Sequence, residues 1–322
     1  MSDSSGLYPR FPLYIPSKGR ARYMMTSKAL TKMGVRHFII VEPQEVAEYR
    51  EAVERMQLLT EVLPLDMDYK QRYDYCDYGP VDQRTGSGPA RNFIWDHAVT
   101  SGAEWHWVMD DNIRDFWRLN RNRKYRMKSA AFWYIMETFV LRFQNVAMAG
   151  PQYEMFRPRL NKATPYCLNT RIYSCNLIRN DMPFRWRGRY NEDTILSLDM
   201  LSHGWCTILF GALLQNKLQT QLVPGGNTAE LYQAADKPKD GQCYARTGTV
   251  AKSMMLANLY PSIARVTWCY GRWHHYVDYS GFKQQLRLQP GVTPQDGINE
   301  YGLKLVGPCP DKAADPSGDL PP

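Results

Sequence analysis

Short runs of apolar residues alternate with amphipathic stretches through the first third of the chain. The apolar runs have the composition of strands and lie at residues 12–16, 37–42, 60–65 and 105–110. Stretches of helical composition separate them, at residues 20–33, 44–56 and 90–100. Because strands that alternate with helices build sheets covered by helices, this pattern predicts an α/β fold. We therefore expect a Rossmann-like central sheet flanked by helices.

The alternation continues in the second half of the chain. Apolar residues at helical spacing predict a helix over residues 129–143, and an acidic start predicts another over residues 192–202. Further strands are predicted at residues 145–149, 171–178 and 205–210. A segment rich in Gly, Gln, Asn and Lys, residues 218–247, is predicted to be a loop before a helix over residues 249–259. The tail, residues 307–322, is predicted to be disordered because Pro, Asp and Gly recur in it.

Composition indicates a folded protein outside the membrane. Of the 322 residues, 44% are hydrophobic and 13% aromatic, which is enough for a sizeable core. No run approaches the roughly 18 apolar residues of a membrane span, and the first residues lack the features of a signal peptide, so we expect a cytoplasmic location. The seven cysteines form no CxxC pair, so neither a disulfide framework nor a zinc site is indicated. The net charge of +8 suits an anionic partner such as nucleic acid.

A polar tripeptide, Asp110-Asp111-Asn112, closes the last of the first four predicted strands. Two carboxylates and an amide at the end of a buried strand supply the oxygen ligands that Mg²⁺ or Mn²⁺ prefers. A simple polar turn would use the same residue types for local hydrogen bonds. The tripeptide is thus a candidate metal site with a plain structural alternative.

Two connections from strand to helix could bind phosphate or a nucleobase. The first, residues 17–20, reads Ser-Lys-Gly-Arg and lies where backbone amides and the helix dipole favour anions. The second carries Arg91 and Asn92, which could contact a diphosphate and a ribose. Helix capping and a solvated arginine are the ordinary alternatives. The fingerprint GxGxxG is missing after the first strand, which disfavours a nicotinamide or flavin cofactor.

The order of these motifs resembles that of nucleotide-sugar transferases with the GT-A fold. A basic turn, an Arg-Asn helix start, an acidic strand end and a later Tyr-Asn-Glu-Asp motif at residues 190–193 occur in that order. Residues 15–20, Ile-Pro-Ser-Lys-Gly-Arg, and residues 225–227, Gly-Gly-Asn, further resemble the TET/JBP-associated glycosyltransferases. That family, found largely in bacteriophages, is associated with sugar transfer to hydroxymethylated pyrimidines in DNA. The resemblance implies a GT-A-type mixed sheet with an acceptor-side extension.

The resemblance also divides the chain and assigns the donor site. Residues 1–112 would form the nucleotide-sugar-binding half, and residues 113–306 the acceptor-binding half of the same domain. Donor contacts would come from Pro16, Ser17, Lys18, Gly19, Arg20, Arg91, Asn92 and Asp110.

For the metal, the resemblance implies Mn²⁺ or Mg²⁺ held by Asp111 and Asn112. The tripeptide departs from the DxD pattern because Asn112 stands where that pattern has its second aspartate. Asn112 would therefore ligate the ion through its amide oxygen or not ligate it at all. A histidine near the C-terminus often completes such a shell, and His275 or His274 is in a suitable place. Packing and surface roles are the alternative for these two histidines.

For catalysis, the resemblance implies inversion, with Asp193 as the base that deprotonates the acceptor hydroxyl and Glu192 as the second candidate. Acidic side chains in a first helical turn are also favoured by the helix dipole alone. Two clusters that mix cations with aromatic residues are predicted to contact DNA. Their cations are Arg118, Arg121, Arg123, Lys124 and Arg126 in the first cluster, and Arg187 and Arg189 in the second. A solvated helix face is the ordinary alternative for the first cluster.

Together these features predict a metal-dependent hexosyltransferase that uses a nucleoside-diphosphate sugar, expected to be a UDP-sugar. Its acceptor would be 5-hydroxymethylpyrimidine in DNA, with 5-hydroxymethylcytosine favoured over 5-hydroxymethyluracil. The alternatives are a GT-A enzyme with a protein, glycan or lipid acceptor, a non-catalytic DNA-binding protein with a degenerate transferase fold, and a nucleotidyltransferase. The sequence leaves the sugar, base flipping and the oligomeric state open.

Overall fold

The computed structural model describes residues 7–76, 86–120, 122–159, 164–218, 223, 225–226, 248–269 and 272–292. In chain order the strands are β1 (Leu13–Pro16), β2 (His37–Val41), β3 (Thr60–Pro64), β4 (Trp105–Met109), β5 (Ile113–Asn120), β6 (Arg123–Arg126), β7 (Val146–Tyr153), β8 (Tyr166–Leu168), β9 (Cys175–Arg179), β10 (Cys206–Lys217), β11 (Ala264–Cys269) and β12 (Arg272–Val277). The helices are α1 (Met25–Lys32), α2 (Val46–Met56), α3 (Asp68–Gln71), α4 (Gly88–Thr100), α5 (Ala131–Val140), α6 (Glu192–Ser202) and α7 (Gly248–Leu259).

Strands β1 to β4 form a parallel sheet in the order β3-β2-β1-β4, as the alternating pattern predicts. Tyr14 pairs with Phe38 on one side and with Val108 on the other. Every residue of β1 is buried, which is typical of a parallel strand covered on both faces. Helix α1 begins five residues later than predicted, because the left-handed backbone of Met24 (φ 40°) ends a turn that precedes the helix.

The second half of the chain extends the same sheet. Strand β4 pairs antiparallel with β9, and the path continues through β7 and β10 to β5 and β6. Strand β10 is parallel to β7 and antiparallel to β5 and β8, so the sheet is mixed. The fold is therefore the predicted α/β arrangement with a Rossmann-like mixed sheet flanked by helices. The predicted disordered tail, residues 307–322, and most of the predicted loop at residues 218–247 lie outside the described residues.

Three features differ from the predicted elements. The basic cluster after the acidic tripeptide forms the hairpin β5–β6. It is therefore not the solvated helix face that was the structural alternative to DNA contact. Its first strand is fixed by pairing with β10 and by Phe116, which is buried against Phe132 and Trp133. Strand β10 continues to Lys217, well past its predicted end, and a second hairpin, β11–β12, was not predicted. Such pairings depend on residues distant in sequence, so local patterns do not reveal them.

The core lies on both faces of the sheet. On one face, Trp107 packs edge to face against Trp133 with ring centroids 4.9 Å apart. On the other, Trp95 of α4 is fully buried with Leu196 of α6. Helix α7 and the β11–β12 hairpin pack on α6 through a smaller apolar cluster that includes Leu256. The helices thereby leave the carboxyl ends of the parallel strands open at one edge of the sheet.

No described helix has the length and apolar character needed to cross a membrane. Within the described residues the cysteines carry free thiols, at Cys76, Cys167, Cys175, Cys206 and Cys269. Cys243 and Cys309 lie outside them.

Candidate active site

A cleft of about 420 Å³ lies at the open edge of the sheet. The ends of β1, β2, β4 and β10 contribute to it, together with the start of α6, helix α7 and strand β12. A crevice at the carboxyl ends of parallel strands is the usual ligand site of open α/β sheets. The predicted site residues that line it are Pro16, Ser17, Lys18, Arg20, Asp110, Asp111, Asn112, Arg189, Glu192, Asp193, His274 and His275.

The turn after β1 is fastened to the acidic end of β4. The Ser17 hydroxyl donates to Asp111 Oδ2 at 2.6 Å, and the Arg20 guanidinium forms an ion pair with Asp111 Oδ1. The backbone N–H of Arg20 donates to the Tyr49 hydroxyl at 2.9 Å. Burial raises the pKa of Asp111, although Arg20 and Ser17 favour its carboxylate. Both oxygens of Asp111 therefore have protein partners.

Lys18 and Gly19 have carboxylate partners as well. Lys18 Nζ lies 2.6 Å from Glu42 Oε1, a carboxylate that Lys70 also contacts. Burial opposes ionisation of Glu42, but the two lysines outweigh it and lower its pKa. The backbone N–H of Gly19 donates to the Glu45 carboxylate at 3.0 Å. This amide was predicted to bind the donor, and the structure instead directs it to a side chain of the protein.

Asp110 lies between two cations. Its Oδ1 is 2.5 Å from Arg91 Nη2, and its Oδ2 is 2.7 Å from Lys217 Nζ. Burial opposes ionisation, but Lys217 and Arg91 outweigh it and lower the pKa of Asp110 to about 2. Asp110 is thus a permanent carboxylate with both oxygens engaged.

Arg91 lies beneath the cleft rather than in it. Its side chain is 1% exposed, and its guanidinium reaches Asp193 Oδ1 at 3.5 Å and Glu192 Oε1 at 4.0 Å, in addition to Asp110. It also lies over the Trp186 ring at 4.6 Å. Arg91 was predicted to contact the diphosphate. Its burial corrects that prediction, since it instead holds three carboxylates from two elements in place.

Asn92 has a similar structural role. Its side-chain amide exchanges two hydrogen bonds of 2.9 Å with the backbone N–H and C=O of Trp186. These bonds tie helix α4 to the segment before α6, and Asn92 does not line the cleft. The structure therefore gives no support to the predicted donor contact.

Asp193 lines the cleft from the first turn of α6. Its Oδ2 accepts from the backbone N–H of Ser174 and its Oδ1 from the Asn176 amide, both at 3.3 Å. Burial and the nearby charges of Glu192 and Asp110 raise the pKa of Asp193 to about 6, against the opposing effect of Arg91. A carboxylate with a pKa near the working pH is well suited to act as a general base. Neighbouring Glu192 accepts a hydrogen bond from the Ser87 hydroxyl at 3.1 Å.

Several cleft residues were missed by sequence reasoning. A strand was predicted from residue 171, but β9 begins at Cys175, and the left-handed backbone of Ser174 (φ 58°) turns the preceding residues into the cleft. The Ser174 carbonyl accepts from the Asp110 N–H at 2.7 Å, and its hydroxyl bonds Tyr153 at 2.7 Å. Other cleft residues that were missed include Arg171, Tyr173, Lys217 and Lys252. No local motif marks any of them.

The side chains predicted to hold a metal do not converge as a ligand set. The oxygens of Asp111 are taken by Arg20 and Ser17. Asn112 Nδ2 donates to the Leu218 carbonyl at 2.9 Å, a bond that does not involve the amide oxygen predicted as a ligand. His275 Nε2 accepts from Arg171 at 3.3 Å. In the part of the chain that the structure describes, no three His, Cys, Asp or Glu side chains are grouped to hold an ion. This arrangement does not fit the predicted metal.

The cations predicted to contact DNA are placed unevenly. Arg121 lies outside the described residues, Arg118 is half-buried and Arg123 is exposed. Arg126 pairs with Asp115 at 2.9 Å and remains largely exposed. Lys124 is buried and pairs with Glu154 at 2.8 Å.

In the second cluster Arg187 is engaged by Asp199 at 2.8 Å and by the Tyr260 hydroxyl at 3.2 Å. Lys124 and Arg187 each have an acidic partner, and their contact with DNA stays a prediction. Arg189 lines the cleft with its side chain over the Tyr75 ring at 4.9 Å.

Comparison with known proteins identifies the family. The sequence profile of the TET-Associated Glycosyltransferases matches residues 11–226, which include the β1 turn, the acidic end of β4 and the start of α6. Among solved structures, the inositol-1-phosphate CTP transferase from T. maritima is similar, with 8% identity over 66% of this chain and 92% of that chain and a TM-score of 0.36. That likeness is too distant to bear on function, and no curated protein matches the chain. Because the family profile matches more than half of its residues, this chain belongs to the TET-associated glycosyltransferase family.

Proposed function

We propose that this protein transfers a sugar from a nucleoside diphosphate, expected to be UDP, to the hydroxymethyl group of a modified pyrimidine in DNA. Family membership supports glycosyl transfer and a DNA acceptor. The observation that carries the proposal is Asp193, a cleft carboxylate whose pKa is raised to about 6 and which faces the same cleft as the β1 turn. Such a group can accept a proton from an acceptor hydroxyl near neutral pH.

The donor would lie at the side of the cleft formed by β1, β2 and the loop after β3. Ile40, Val41 and Leu65 provide apolar surface there, and Ser17 and Lys18 provide polar edges. Glu42 and Lys70 also line this side, so apolar and charged groups alternate there, and polar groups placed beside apolar surface can orient a bound nucleoside. The nucleotide would therefore bind next to the β1 turn, with its phosphates directed toward β10 and α7.

In the proposed reaction the hydroxymethyl oxygen attacks the anomeric carbon of the sugar from the face opposite the leaving group. Asp193 takes the hydroxyl proton while a new C–O bond forms. The bond between the anomeric carbon and the diphosphate oxygen breaks, and the nucleoside diphosphate leaves with the electron pair. Attack opposite the leaving group inverts the anomeric configuration, as in glycosyl transfers that use a single base.

Exposed aromatic residues lie on the β11–β12 hairpin, which we propose as part of the acceptor side. On the β11–β12 hairpin, Trp268 is 48% and Tyr276 46% exposed, and the Arg265 guanidinium lies 4.6 Å from the Tyr276 ring centroid. His274 and His275 of the same hairpin line the cleft. Aromatic and cationic side chains together suit stacking and phosphate contact with an extruded or unpaired base. The aromatic and cationic side chains of this hairpin support our proposal of a nucleic-acid acceptor, for which 5-hydroxymethylcytosine is the first candidate.

Labelled UDP-sugars and matched DNA duplexes test the proposal. The duplexes would contain 5-hydroxymethylcytosine, 5-hydroxymethyluracil or unmodified cytosine, with and without Mn²⁺, and mass spectrometry would detect the added hexose. We expect transfer to a hydroxymethylated duplex alone, and none with Asp193→Asn. If the protein transferred the sugar to a protein, glycan or lipid and added no hexose to any of the duplexes, the DNA acceptor would be refuted. Tight, salt-sensitive DNA binding without transfer from any common donor would favour a non-catalytic DNA-binding protein.

A further inference from the structure

Three cationic side chains line the cleft, and two of them, Lys217 and Arg171, are close enough to the third, Lys252, to lower its pKa. Arg171 comes from the segment before β9, Lys217 from the end of β10 and Lys252 from helix α7, and all three line the cleft. Separate elements hold each of them. The Asn191 amide donates to the Lys252 carbonyl at 2.7 Å and thereby fixes α7 against the start of α6. The cluster is thus built by the tertiary structure and not by one flexible loop.

Among the described residues, only one of these three cations forms an ion pair with a carboxylate. Lys217 pairs with Asp110, but in the described part of the chain no carboxylate lies within ion-pair distance of Arg171 or Lys252. Arg171 instead donates to His275 Nε2 at 3.3 Å and lies over the Tyr173 ring at 4.3 Å.

The pKa values of the three cations shift in different directions. Burial opposes the charge of Lys217, but Asp110 outweighs it and raises the pKa of Lys217. Burial lowers the pKa of Lys252, and Lys217 and Arg171 lower it further against the opposing effect of Glu192. Burial also lowers the pKa of Arg171. Holding partly desolvated cations together costs free energy, which a bound polyanion would offset.

His275 is part of the same electrostatic environment. His275 Nε2 accepts a hydrogen bond from Arg171, so the ring nitrogen that would have to bind a metal faces a guanidinium. A divalent cation at this histidine would be repelled by Arg171 and Lys252. At the other end of the predicted metal site, Asp111 is already paired with Arg20.

We propose that Arg171, Lys217 and Lys252 bind the donor diphosphate directly, so that donor binding needs no divalent cation. The identity of the donor rests on the proposed function. An arginine can bind two phosphate oxygens at once, and each lysine adds a point charge with three donors, of which Lys217 uses one for Asp110. As the sugar departs, negative charge grows on the diphosphate, and fixed cations in a desolvated cleft stabilise that charge.

Calorimetric titration with two ligands, pyrophosphate and UDP, tests this site in the full-length protein. Each titration is done in EDTA and again with Mn²⁺. We expect both ligands to bind in EDTA and the affinity to fall at least about tenfold in Lys252→Met and in Arg171→Met. Lys252→Arg keeps the charge and should keep most of the affinity. Lys283→Met and Arg36→Met remove exposed cations and serve as matched controls.

The outcomes separate this site from the proposed function. Binding that appears only with Mn²⁺, or that is unchanged in both methionine variants with native circular dichroism, would overturn the site. No pyrophosphate binding in either buffer would overturn it too. UDP binding in EDTA without sugar transfer to any acceptor would refute the proposed function and leave the site standing. DNA glycosylation with Mn²⁺ by a protein that binds UDP and pyrophosphate only when Mn²⁺ is present would refute the site while the function stood.

Discussion

The Arg91 guanidinium lies 3.5 Å from the Asp193 carboxylate and connects it to Asp110, the carboxylate that follows β4. Arg91 stands at the start of α4 and Asp193 at the start of α6, so one buried cation fixes two helices and a strand end. Asp110 and Asp193 line the cleft, and their positions depend on an arginine that does not line it. This relationship links the stability of the fold to the chemistry of the site.

Replacing Arg91 should therefore destabilise the whole protein. Arg91→Met leaves three half-buried carboxylates without their common buried partner, and removing one member of a buried ion network costs about 3 to 5 kcal/mol. Arg55→Met removes an exposed pair with Glu51 and should change the free energy of unfolding by less than about 0.5 kcal/mol. Urea unfolding measures both. An Arg91→Met protein as stable as wild type would show that the network contributes little.

Replacing the proposed base should affect transfer and spare donor binding. Asp193→Asn keeps the size of the side chain but cannot accept the proton, so we expect the transfer rate to fall by about 10² to 10⁴-fold. UDP affinity should stay within about twofold, because Asp193 belongs to the acceptor side of the reaction. Asp181→Asn, at an exposed site paired with Arg179, is the matched control. Full activity in Asp193→Asn together with loss in Glu192→Gln would move the base to Glu192.

The pH dependence of transfer should report the raised pKa of Asp193. The base must be ionised, so the rate should fall as the pH falls through about 6 and level off above it. The charge of Glu192 contributes to the raised value, so Glu192→Gln should shift the midpoint to lower pH. Rates measured at saturating donor between pH 4 and 8 show both effects. A midpoint at the ordinary aspartate value, or one that Glu192→Gln leaves unmoved, would contradict this assignment.

The loop at Gly225 should be sensitive to a single methyl group. A Cβ at Gly225 would lie 2.6 Å from the Gly19 carbonyl oxygen, and the φ of +83° is itself unfavourable for alanine. Gly204 has φ +84° but open space around it, so Gly204→Ala isolates the backbone cost, about 1 to 2 kcal/mol. We expect Gly225→Ala to lose more stability and also to weaken UDP binding, because it displaces the β1 turn. Equal behaviour of the two variants would argue against this contact.

Buried histidines should make the fold sensitive to mild acid. Burial lowers the pKa of His37 and of His106 to about 4, below the unfolded value of about 6.5. Between these values the unfolded chain binds protons that the folded protein excludes, so stability is full above pH 6.5 and falls as the pH drops toward 4. His37→Gln should reduce the decrease in the free energy of unfolding over this pH range. His203→Gln, at an exposed site, should leave that decrease unchanged. Denaturant unfolding across this range would show whether the slope changes.

Much of the fold and part of the site could be predicted from local sequence. Strands β1 to β4 follow from short apolar runs, and α6 was predicted with its observed bounds, Glu192–Ser202. The β1 turn and the acidic tripeptide were recognised because each adjoins the end of a predicted strand, whereas Asp193 was recognised through the resemblance to GT-A enzymes. Parallel strands bring their carboxyl ends to one edge of the sheet, which is why the β1 turn and the tripeptide line the same cleft.

Partners and roles within the site could not be predicted in this way. Arg91 appeared to be a ligand contact and proved to be a buried support, and Gly19 and Asn92 bond the protein itself. Arg171 and Lys252 carried no motif, yet both line the cleft.

The sequence by itself determined strands β1 to β4 and helix α6, because the period of apolar side chains along each segment selects the element. The β5–β6 and β11–β12 hairpins required pairing between residues that a local pattern does not relate. Only the tertiary structure decided which charges meet and which are buried. The free energy of a charge depends on its burial and on partners that the fold brings from distant positions, and neither is visible in a local pattern.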